Sequence, residues 1–279
     1  MSRRKPRYEP WKLAKDGDDR CNLCLLVKPM SEDHVPPRCV GNDKPVKIRR
    51  FYHDQHLGKF PYAIRVVRGG ITFKTLCQDC NSLIGQWDPS LKTLVAAAKS
   101  AHRRGDLILK GDIKMGAVVR AVLGHFIAAK LVIDDSEPDK TARDYLLNGS
   151  PLDPMMNIHL WHYPYDDLAI ARDFVVTDLK DKVNTGILSV MKFRPLAMCS
   201  SFDGPSLKYP SIAQYSLVDP STEVPVSFSL GDRVDSLWPE HASHVNPFQA
   251  LTSGEAYGMA GIESRGTEVA NASAGGPGL

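Results

Sequence analysis

Two short stretches decide the fold of the first hundred residues. Residues 21–37 read Cys-Asn-Leu-Cys-Leu-Leu-Val-Lys-Pro-Met-Ser-Glu-Asp-His-Val-Pro-Pro, and residues 75–81 read Thr-Leu-Cys-Gln-Asp-Cys-Asn. Each stretch contains a Cys-x-x-Cys pair, whose tight turn presents both sulfur atoms to the same ion. Because no apolar signal segment follows the basic start of the chain, this spacing favours metal binding over a disulfide. We therefore predict one zinc ion held by four thiolates: Cys21, Cys24, Cys77 and Cys80.

The predicted zinc ion has a structural role. Four cysteine ligands complete a tetrahedral shell and leave no open position for a reacting molecule. The alternative is that the thiols are spaced by coincidence and only pack in a core, and two such pairs make this the weaker interpretation. The two other cysteines, Cys39 and Cys199, are expected to pack as small apolar groups.

Charge is divided unevenly along the chain. The formal net charge is +3, yet residues 1–120 hold 24 of the 35 Lys and Arg and 12 of the 32 Asp and Glu, a net +12, which leaves −9 for residues 121–279. This asymmetry indicates a polyanionic partner for the first segment. The hydrophobic content of 43% excludes a wholly disordered or fibrous chain. No apolar run is long enough to span a bilayer, so we expect no membrane partner and a cytoplasmic protein.

Hydrophobic periodicity predicts a mixed α+β fold. Residues 62–68 and 71–76 are predicted to form a β-hairpin around Gly69-Gly70. Helices are predicted to begin near Asn81 and to cover residues 91–102, 113–133 and 140–147. Strands are predicted between about residues 156 and 229, namely 158–163, 174–177, 187–193 and 213–217.

The order of the chemically active residues resembles the HNH endonuclease family, the zinc-containing form of the ββα-metal nucleases. Asp33-His34-Val-Pro-Pro follows the first Cys-x-x-Cys pair, and Asn81 directly follows the second. The resemblance covers about residues 15–100, roughly a third of the chain. It implies an N-terminal ββα-metal domain with zinc knuckles built from the four cysteines.

The resemblance also implies a reaction, the metal-dependent hydrolysis of DNA phosphodiester bonds. His34 is expected to act as the general base, since imidazole takes up a proton near neutral pH. Asp33 and Asn81 are expected to hold a catalytic Mg²⁺ or Mn²⁺ ion, because such ions prefer carboxylate and amide oxygens. The zinc ion would hold the helix that carries Asn81 against the strand that carries Asp33 and His34.

Several positions leave alternatives open. Family members often have an Asn about five residues before the third cysteine, where it pins a loop, but this chain has Thr72. Many members have His where Asn81 stands, and Asn is a recurring variant there. Asn81 would otherwise serve as a helix N-cap, and His34 as a turn residue satisfied by the backbone. His53 and His56 are more simply interpreted as polar surface.

A basic surface is predicted to contact DNA, because Lys and Arg neutralise phosphates without a requirement for sequence. An ordinary solvated charged face is the alternative. The residues assigned to this surface are Arg38, Lys47, Arg49, Arg50, Arg65 and Arg68.

The chain is predicted to have four parts: a basic arm (1–20), the HNH nuclease domain (21–105), an acidic α+β domain of unknown role (113–250) and a disordered tail (252–279). The acidic domain is expected to sense a ligand, bind a partner protein or mediate dimerisation. By resemblance, a nuclease of this kind acts in restriction or phage defence, and cutting both strands would need a homodimer. The alternatives are a non-catalytic zinc-binding module that holds nucleic acid or protein, and an RNA substrate.

Overall fold

The computed structural model describes residues 12–14, 20–43, 46–49, 65–67, 69–131, 133, 135–178, 185–203, 207, 209–231, 249–252 and 255–262. These residues form four α-helices: α1 (Gln78–Gly85), α2 (Asp88–Arg104), α3 (Met115–Ala128) and α4 (Glu137–Asn148). Two short 3-10 helices cover Arg38–Val40 and Ala213–Leu217. The predicted α+β class is confirmed.

Thirteen strands complete the described part of the chain. Before the helices come β1 (Lys12–Ala14), β2 (Met30–His34), β3 (Val46–Arg49), β4 (Arg65–Val67) and β5 (Thr72–Cys77). Between and after the helices come β6 (Ile108–Ile113), β7 (Met156–His162), β8 (Asp167–Asp178), β9 (Thr185–Phe193) and β10 (Leu196–Phe202). The last are β11 (Val224–Ser229), β12 (Gln249–Thr252) and β13 (Glu255–Ile262).

A three-stranded sheet carries the two cysteine stretches. Its order is β1-β5-β2, with β5 parallel to β1 and antiparallel to β2. The predicted hairpin between residues 62–68 and 71–76 is wrong, because β4 pairs with β3 instead of β5. The alternating pattern of residues 71–76 identified a strand correctly, but it contains no information about the partner strand.

Helix α3 is the centre of the molecule. Thirteen of its fourteen residues are buried, as expected for a helix that is apolar on all sides. Gly124 permits a close approach to α1, because a Cβ atom at this position would lie 2.7 Å from Cγ1 of Ile84. Helix α1, which contains Cys80 of the second cysteine pair, therefore packs directly on α3.

A larger sheet also packs against α3, where Arg172 of β8 lies over the ring of Phe126. Its strand order is β4-β3-β13-β8-β9-β10-β7, and β12 also pairs with β8. Strands β6 and β11 form a separate antiparallel pair. The strand predicted at residues 213–217 is wrong, because these residues form a 3-10 helix, and β3, β6, β10 and β11 were not among the strands predicted. In such a short segment, periodicity cannot distinguish a strand from a helical turn.

The two predicted domains share one core. A single hydrophobic cluster runs from Cys21 and Phe73 through α3 to Ile158 and Leu230. A predicted boundary near residues 105–113 therefore does not separate two independently packed cores. The sequence suggested two parts because residues 1–120 are basic and residues 121–279 are acidic, but charge resides on the surface and does not report on core contacts.

Buried charges also tie α3 and α4 to the large sheet. Asp139 of α4 is 2.9 Å from Nζ of Lys130 and 2.8 Å from Nη2 of Arg172. Lys130 also lies 2.7 Å from Asp173, and all of these side chains are at least four-fifths buried. Removing one member of such a cluster leaves a buried charge without compensation, which destabilises a fold strongly.

Parts of the predicted basic arm and of the predicted disordered tail form β-strands. Residues 12–14, assigned to the basic arm, form strand β1, and β13 occupies residues 255–262, where composition predicted disorder. Strand β13 pairs with β3 and β8 through backbone groups, which every residue type carries. The other residues of the arm, except Arg20, and residues 263–279 of the tail lie outside the described part of the chain. None of the helices described is both long and apolar enough to cross a membrane.

Candidate functional site

The four cysteines of the two Cys-x-x-Cys pairs come together as predicted. The sulfur atoms of Cys21, Cys24, Cys77 and Cys80, here called the four-cysteine cluster, all lie within 4.8 Å of one another. The Sγ atoms of Cys24 and Cys77 are 3.9 Å apart, far too long for a disulfide. Four thiolates about 2.3 Å from a central zinc ion would be separated by a similar distance. The four-cysteine cluster is thus able to hold a metal such as zinc.

The protonation of the four-cysteine cluster also points to a cation. A hydrogen bond from Cys80 lowers the pKa of the Cys21 thiol to about 4. The hydrogen bond to Cys21 and burial raise the pKa of Cys80 well above its ordinary value, and burial raises the pKa of Cys24. One thiolate therefore opposes ionisation of its neighbours, and a bound divalent cation is the group that would allow all four to ionise.

The two remaining cysteines have different surroundings. Cys199 is fully buried in β10, as expected for a small apolar group. Cys39 is exposed in the first 3-10 helix, so the same expectation is wrong for this residue. A single cysteine in a short loop segment has no periodic pattern around it that would report on its burial.

The first cysteine pair is attached to the end of α3. The side-chain nitrogen of Asn22 donates to the carbonyls of Ile127 and Lys130 at 2.9 and 2.6 Å. The hydroxyl of Thr75 donates to the carbonyl of Ala128 at 2.6 Å. Helix C-termini leave such carbonyls without partners, so residues from around the four-cysteine cluster satisfy the end of a helix that sequence analysis had placed in another domain.

Asp33 faces a histidine that sequence analysis missed. Its Oδ2 atom lies 3.3 Å from Nδ1 of His125, and Nε2 of His125 lies 2.8 Å from Oδ1 of Asp88. His125 is fully buried in the last turn of α3. Its only sequence signal is a lone histidine within an apolar helix, which needs a polar partner once it is buried.

Two carboxylates keep His125 charged. Burial by itself lowers the pKa of His125, but Asp33 and Asp88 outweigh this effect and raise the pKa to about 10. Two helix dipoles also favour the charged forms of this pair. His125 lies near the C-terminus of α3, whose partial negative charge stabilises a cation, and Asp88 begins α2, whose partial positive charge stabilises a carboxylate. His125 therefore holds Asp33 in position and connects β2 with α2 and α3.

His125→Leu is expected to lower the free energy of unfolding by about 3 kcal/mol at pH 7, because it leaves two carboxylates without their cation. The pKa of His125 is raised from 6.5 to about 10 in the folded protein, so its contribution is complete below about pH 6.5 and is lost as pH rises through 10. Denaturant unfolding at pH 7 and pH 10.5 should show the gap between wild type and variant closing at high pH.

His159→Leu is the matched control for this experiment. His159 is also buried, but burial lowers its pKa, so it is neutral at both pH values. Its effect on stability should not change with pH. An equally large His125→Leu effect at pH 7 and pH 10.5 would contradict a charged His125.

Asn81 lies in the second turn of α1, and its amide contacts strand β2. Its Nδ2 atom donates to the carbonyl of Glu32 at 3.0 Å and to the hydroxyl of Ser31 at 3.1 Å. Because a carbonyl oxygen only accepts, the amide nitrogen must face Glu32, and this defines the orientation of the side chain. The N-cap of α1 is Cys77, so the N-cap interpretation of Asn81 is wrong.

His34 is half-buried at the end of β2. Its Nε2 atom is 3.0 Å from the carbonyl oxygen of Gly69 and 2.9 Å from Nε of Arg38. One ring nitrogen cannot accept from Arg38 and donate to Gly69 at the same time. Burial and the Arg38 guanidinium lower the pKa of His34, so at neutral pH we assign a lone pair to Nε2 and the hydrogen bond to Arg38.

Asn42 provides the loop-pinning contacts that sequence analysis left unassigned. Its Nδ2 atom donates to the carbonyls of Pro36 and Ile71 at 2.7 and 2.9 Å, and its Oδ1 accepts from the backbone nitrogen of Ile71 at 2.7 Å. Asn42 is only 1% exposed. Gly70 has a positive φ of 92° and packs on Asn42 so closely that a Cβ atom would overlap it. Thr72, at the expected position, instead pairs with His34 across the sheet.

Asn42→Ala is expected to lower the free energy of unfolding by about 3 kcal/mol, because three buried backbone groups lose their hydrogen bonds. Denaturant unfolding would measure the loss. Asn148→Ala is the matched control, since Asn148 is exposed and its side chain bonds to Asp144 on the same helix. Equal losses in the two variants would exclude the pinning role of Asn42.

The residues predicted to contact nucleic acid are only partly described. Arg38 is exposed and bonds to His34. Lys47 and Arg49 lie in β3 and Arg65 in β4, so these three occupy adjacent strands of the large sheet. Arg50, Arg68, His53 and His56 lie outside the described residues.

The described residues define an α+β protein with a four-cysteine cluster able to bind a metal, next to the Asp33–His125–Asp88 chain and His34. Comparisons of the chain with protein-family models, curated proteins and solved structures find no match. A functional conclusion therefore depends on the chemistry of these residues.

Proposed function

We propose that this protein is a metal-dependent endonuclease that hydrolyses DNA phosphodiester bonds, with a structural zinc ion in the four-cysteine cluster. The observation that carries the proposal is the arrangement around strand β2. Asp33 and His34 lie at its end, and the amide of Asn81 in α1 donates a hydrogen bond to its backbone at Glu32. The succession of β2, β5 and α1 supports the likeness to the ββα-metal nucleases.

His34 has the properties of a general base. Its lowered pKa leaves the imidazole neutral near pH 7, as proton abstraction from water requires. Arg38 donates to Nε2 in the absence of substrate and is a cation able to turn to a phosphate instead. Once Nε2 has taken up a proton, the Gly69 carbonyl at 3.0 Å can accept it in a hydrogen bond.

The oxygens of Asp33 and Asn81 fit a hard divalent cation. The Asn81 amide turns its nitrogen to Glu32, so its Oδ1 atom is the one left for a ligand. Asp33 turns Oδ2 towards His125, at a distance too long for a strong hydrogen bond, and Oδ1 is left for an ion. A Mg²⁺ or Mn²⁺ ion held there would supply positive charge for the leaving oxygen. His125 would then hold the Asp33 carboxylate in the orientation that binds the ion, because residues that contact metal ligands commonly orient them.

Plasmid nicking tests the proposal. Purified protein is incubated with supercoiled DNA and either Mg²⁺ or Mn²⁺, and the expected result is conversion to open-circular DNA that stops without a divalent ion. An RNA of matched length is the second substrate. Cleavage of RNA alone would replace the DNA assignment, while intact DNA and RNA under both ions would favour the non-catalytic zinc-binding module.

A further inference from the structure

A cleft of about 320 Å³ lies where α2 and the first 3-10 helix meet the large sheet. It is bordered by the rim cations Lys99, Arg103 and Arg194, and it is separate from the residues assigned to catalysis. Its volume is within the range of small-ligand sites, about 300–1,000 Å³. The cleft therefore has room for one small molecule or one unit of a polymer.

The rim of the cleft carries uncompensated positive charge. Lys99 and Arg103 are exposed on α2 and make no hydrogen bond or ion pair with any residue that the structure describes. Arg194 pairs with Asp166 at 2.8 Å, so one of the three rim cations is neutralised. The two remaining charges point to an anionic ligand, and two cations about a single cleft suit a phosphate.

The guanidinium of Arg194 is held in place when no ligand is bound. Nη2 of Arg194 lies 3.2 Å from Nε2 of His102, whose Nδ1 is 2.8 Å from Nε2 of His162. Arg194 can only donate, so His102 accepts at Nε2 and donates from Nδ1 to His162. A guanidinium held on both sides, by His102 and Asp166, loses little conformational freedom on binding.

The inner wall of the cleft is apolar. Val40, Leu168 and Phe193 line it, and because each is at least 96% buried, the cleft reaches only a small part of each side chain. A cationic rim beside an apolar wall matches a ligand with a phosphate at one end and a flat, weakly polar group at the other. A bare inorganic anion would use only the rim.

We propose that this cleft binds one nucleotide unit, with its phosphate at Lys99, Arg103 and Arg194 and its base against Val40, Leu168 and Phe193. Two sources share this chemistry: a free nucleotide and one nucleotide of a nucleic-acid strand. Binding at the cleft requires no bond cleavage, so it does not depend on the proposed nuclease activity.

Binding is measured with the full chain by isothermal titration calorimetry and fluorescence anisotropy, without added Mg²⁺ or Mn²⁺. The probes are adenosine monophosphate, adenosine, inorganic phosphate and a fluorescein-labelled single-stranded DNA octamer. The Lys99→Gln/Arg103→Gln double variant is expected to weaken binding about tenfold or more, since two charge-assisted contacts are lost. Lys92→Gln, which removes one exposed charge elsewhere on the same helix, should leave binding within about twofold of wild type.

Each outcome decides between interpretations. Binding of adenosine monophosphate that is tighter than that of adenosine and phosphate, and lost in the double variant, supports a free-nucleotide site. Binding of the octamer alone, with the same dependence on Lys99 and Arg103, supports a site for one unit of a strand. The proposal is overturned if no probe binds, if phosphate binds as well as adenosine monophosphate, or if Lys92→Gln weakens binding as much as the double variant. Both substitutions are on exposed side chains, so unchanged thermal unfolding verifies that the variant is folded.

Discussion

Plasmid nicking should fall by about 100- to 10,000-fold when His34 is replaced by alanine, because the proposed reaction would lose its general base. His34→Gln should be equally inactive, since glutamine keeps hydrogen-bonding capacity but cannot act as a base near neutral pH. Rates are measured from the conversion of supercoiled to open-circular DNA with Mg²⁺ or Mn²⁺.

Three further measurements separate catalysis from folding for these variants. Zinc content, DNA affinity and thermal unfolding should match those of wild type, because His34 is half-buried and its hydrogen bonds go to Gly69 and Arg38, which are not part of the four-cysteine cluster. Retained nicking in His34→Gln would show that the residue only bonds to Gly69 and Arg38. Retained nicking in both variants would remove His34 from the mechanism altogether.

Loss of the four-cysteine cluster should unfold the first part of the chain. Cys24→Ser or Cys77→Ser is expected to release about one zinc ion per chain and to lower the free energy of unfolding by about 5 kcal/mol or more, because metal binding is coupled to folding at such sites. The effect extends beyond the cluster, since Asn22 and Thr75 attach it to the carbonyls of α3. Metal analysis and thermal unfolding measure the two losses.

Cys39→Ser is the matched control for the cluster variants. Cys39 is an exposed cysteine outside the four-cysteine cluster, so its replacement should change neither zinc content nor stability by more than about 0.5 kcal/mol. A full complement of zinc in Cys24→Ser and Cys77→Ser, with unchanged unfolding, would show that these sulfur atoms are not needed to hold the metal. Absence of zinc from wild type would show that the four sulfur atoms pack together without a metal.

The pairing of Cys21 with Cys24 and of Cys77 with Cys80 was predictable from local spacing, whereas the meeting of the two pairs was inferred from the chemistry of metal binding. Two residues between cysteines force a turn that brings both sulfur atoms to one side, wherever the rest of the chain lies. The helix at residues 91–102 was equally accessible, and α2 contains it. A continuous pattern of that length reports on the local backbone and needs no partner to be recognised.

The hairpin prediction at residues 62–76 was wrong for the opposite reason. Strand pairing is a contact between segments, and β5 bonds to β1 and β2, which both lie well before residue 62 in the chain. Asn42 was missed in the same way, because its partners at Pro36 and Ile71 come together only when the loop closes.

By itself the sequence predicted that the four cysteines come together and that the fold is of the mixed α+β class, and it indicated Asp33, His34 and Asn81 as candidate site residues. Only the tertiary structure decided that His125, far along the chain in α3, faces Asp33, and that both charge segments share one core. The physical reason is that residue type and short spacing determine which chemistry a side chain can perform. Which distant groups meet depends on how buried helices and sheets pack, and no local pattern encodes that.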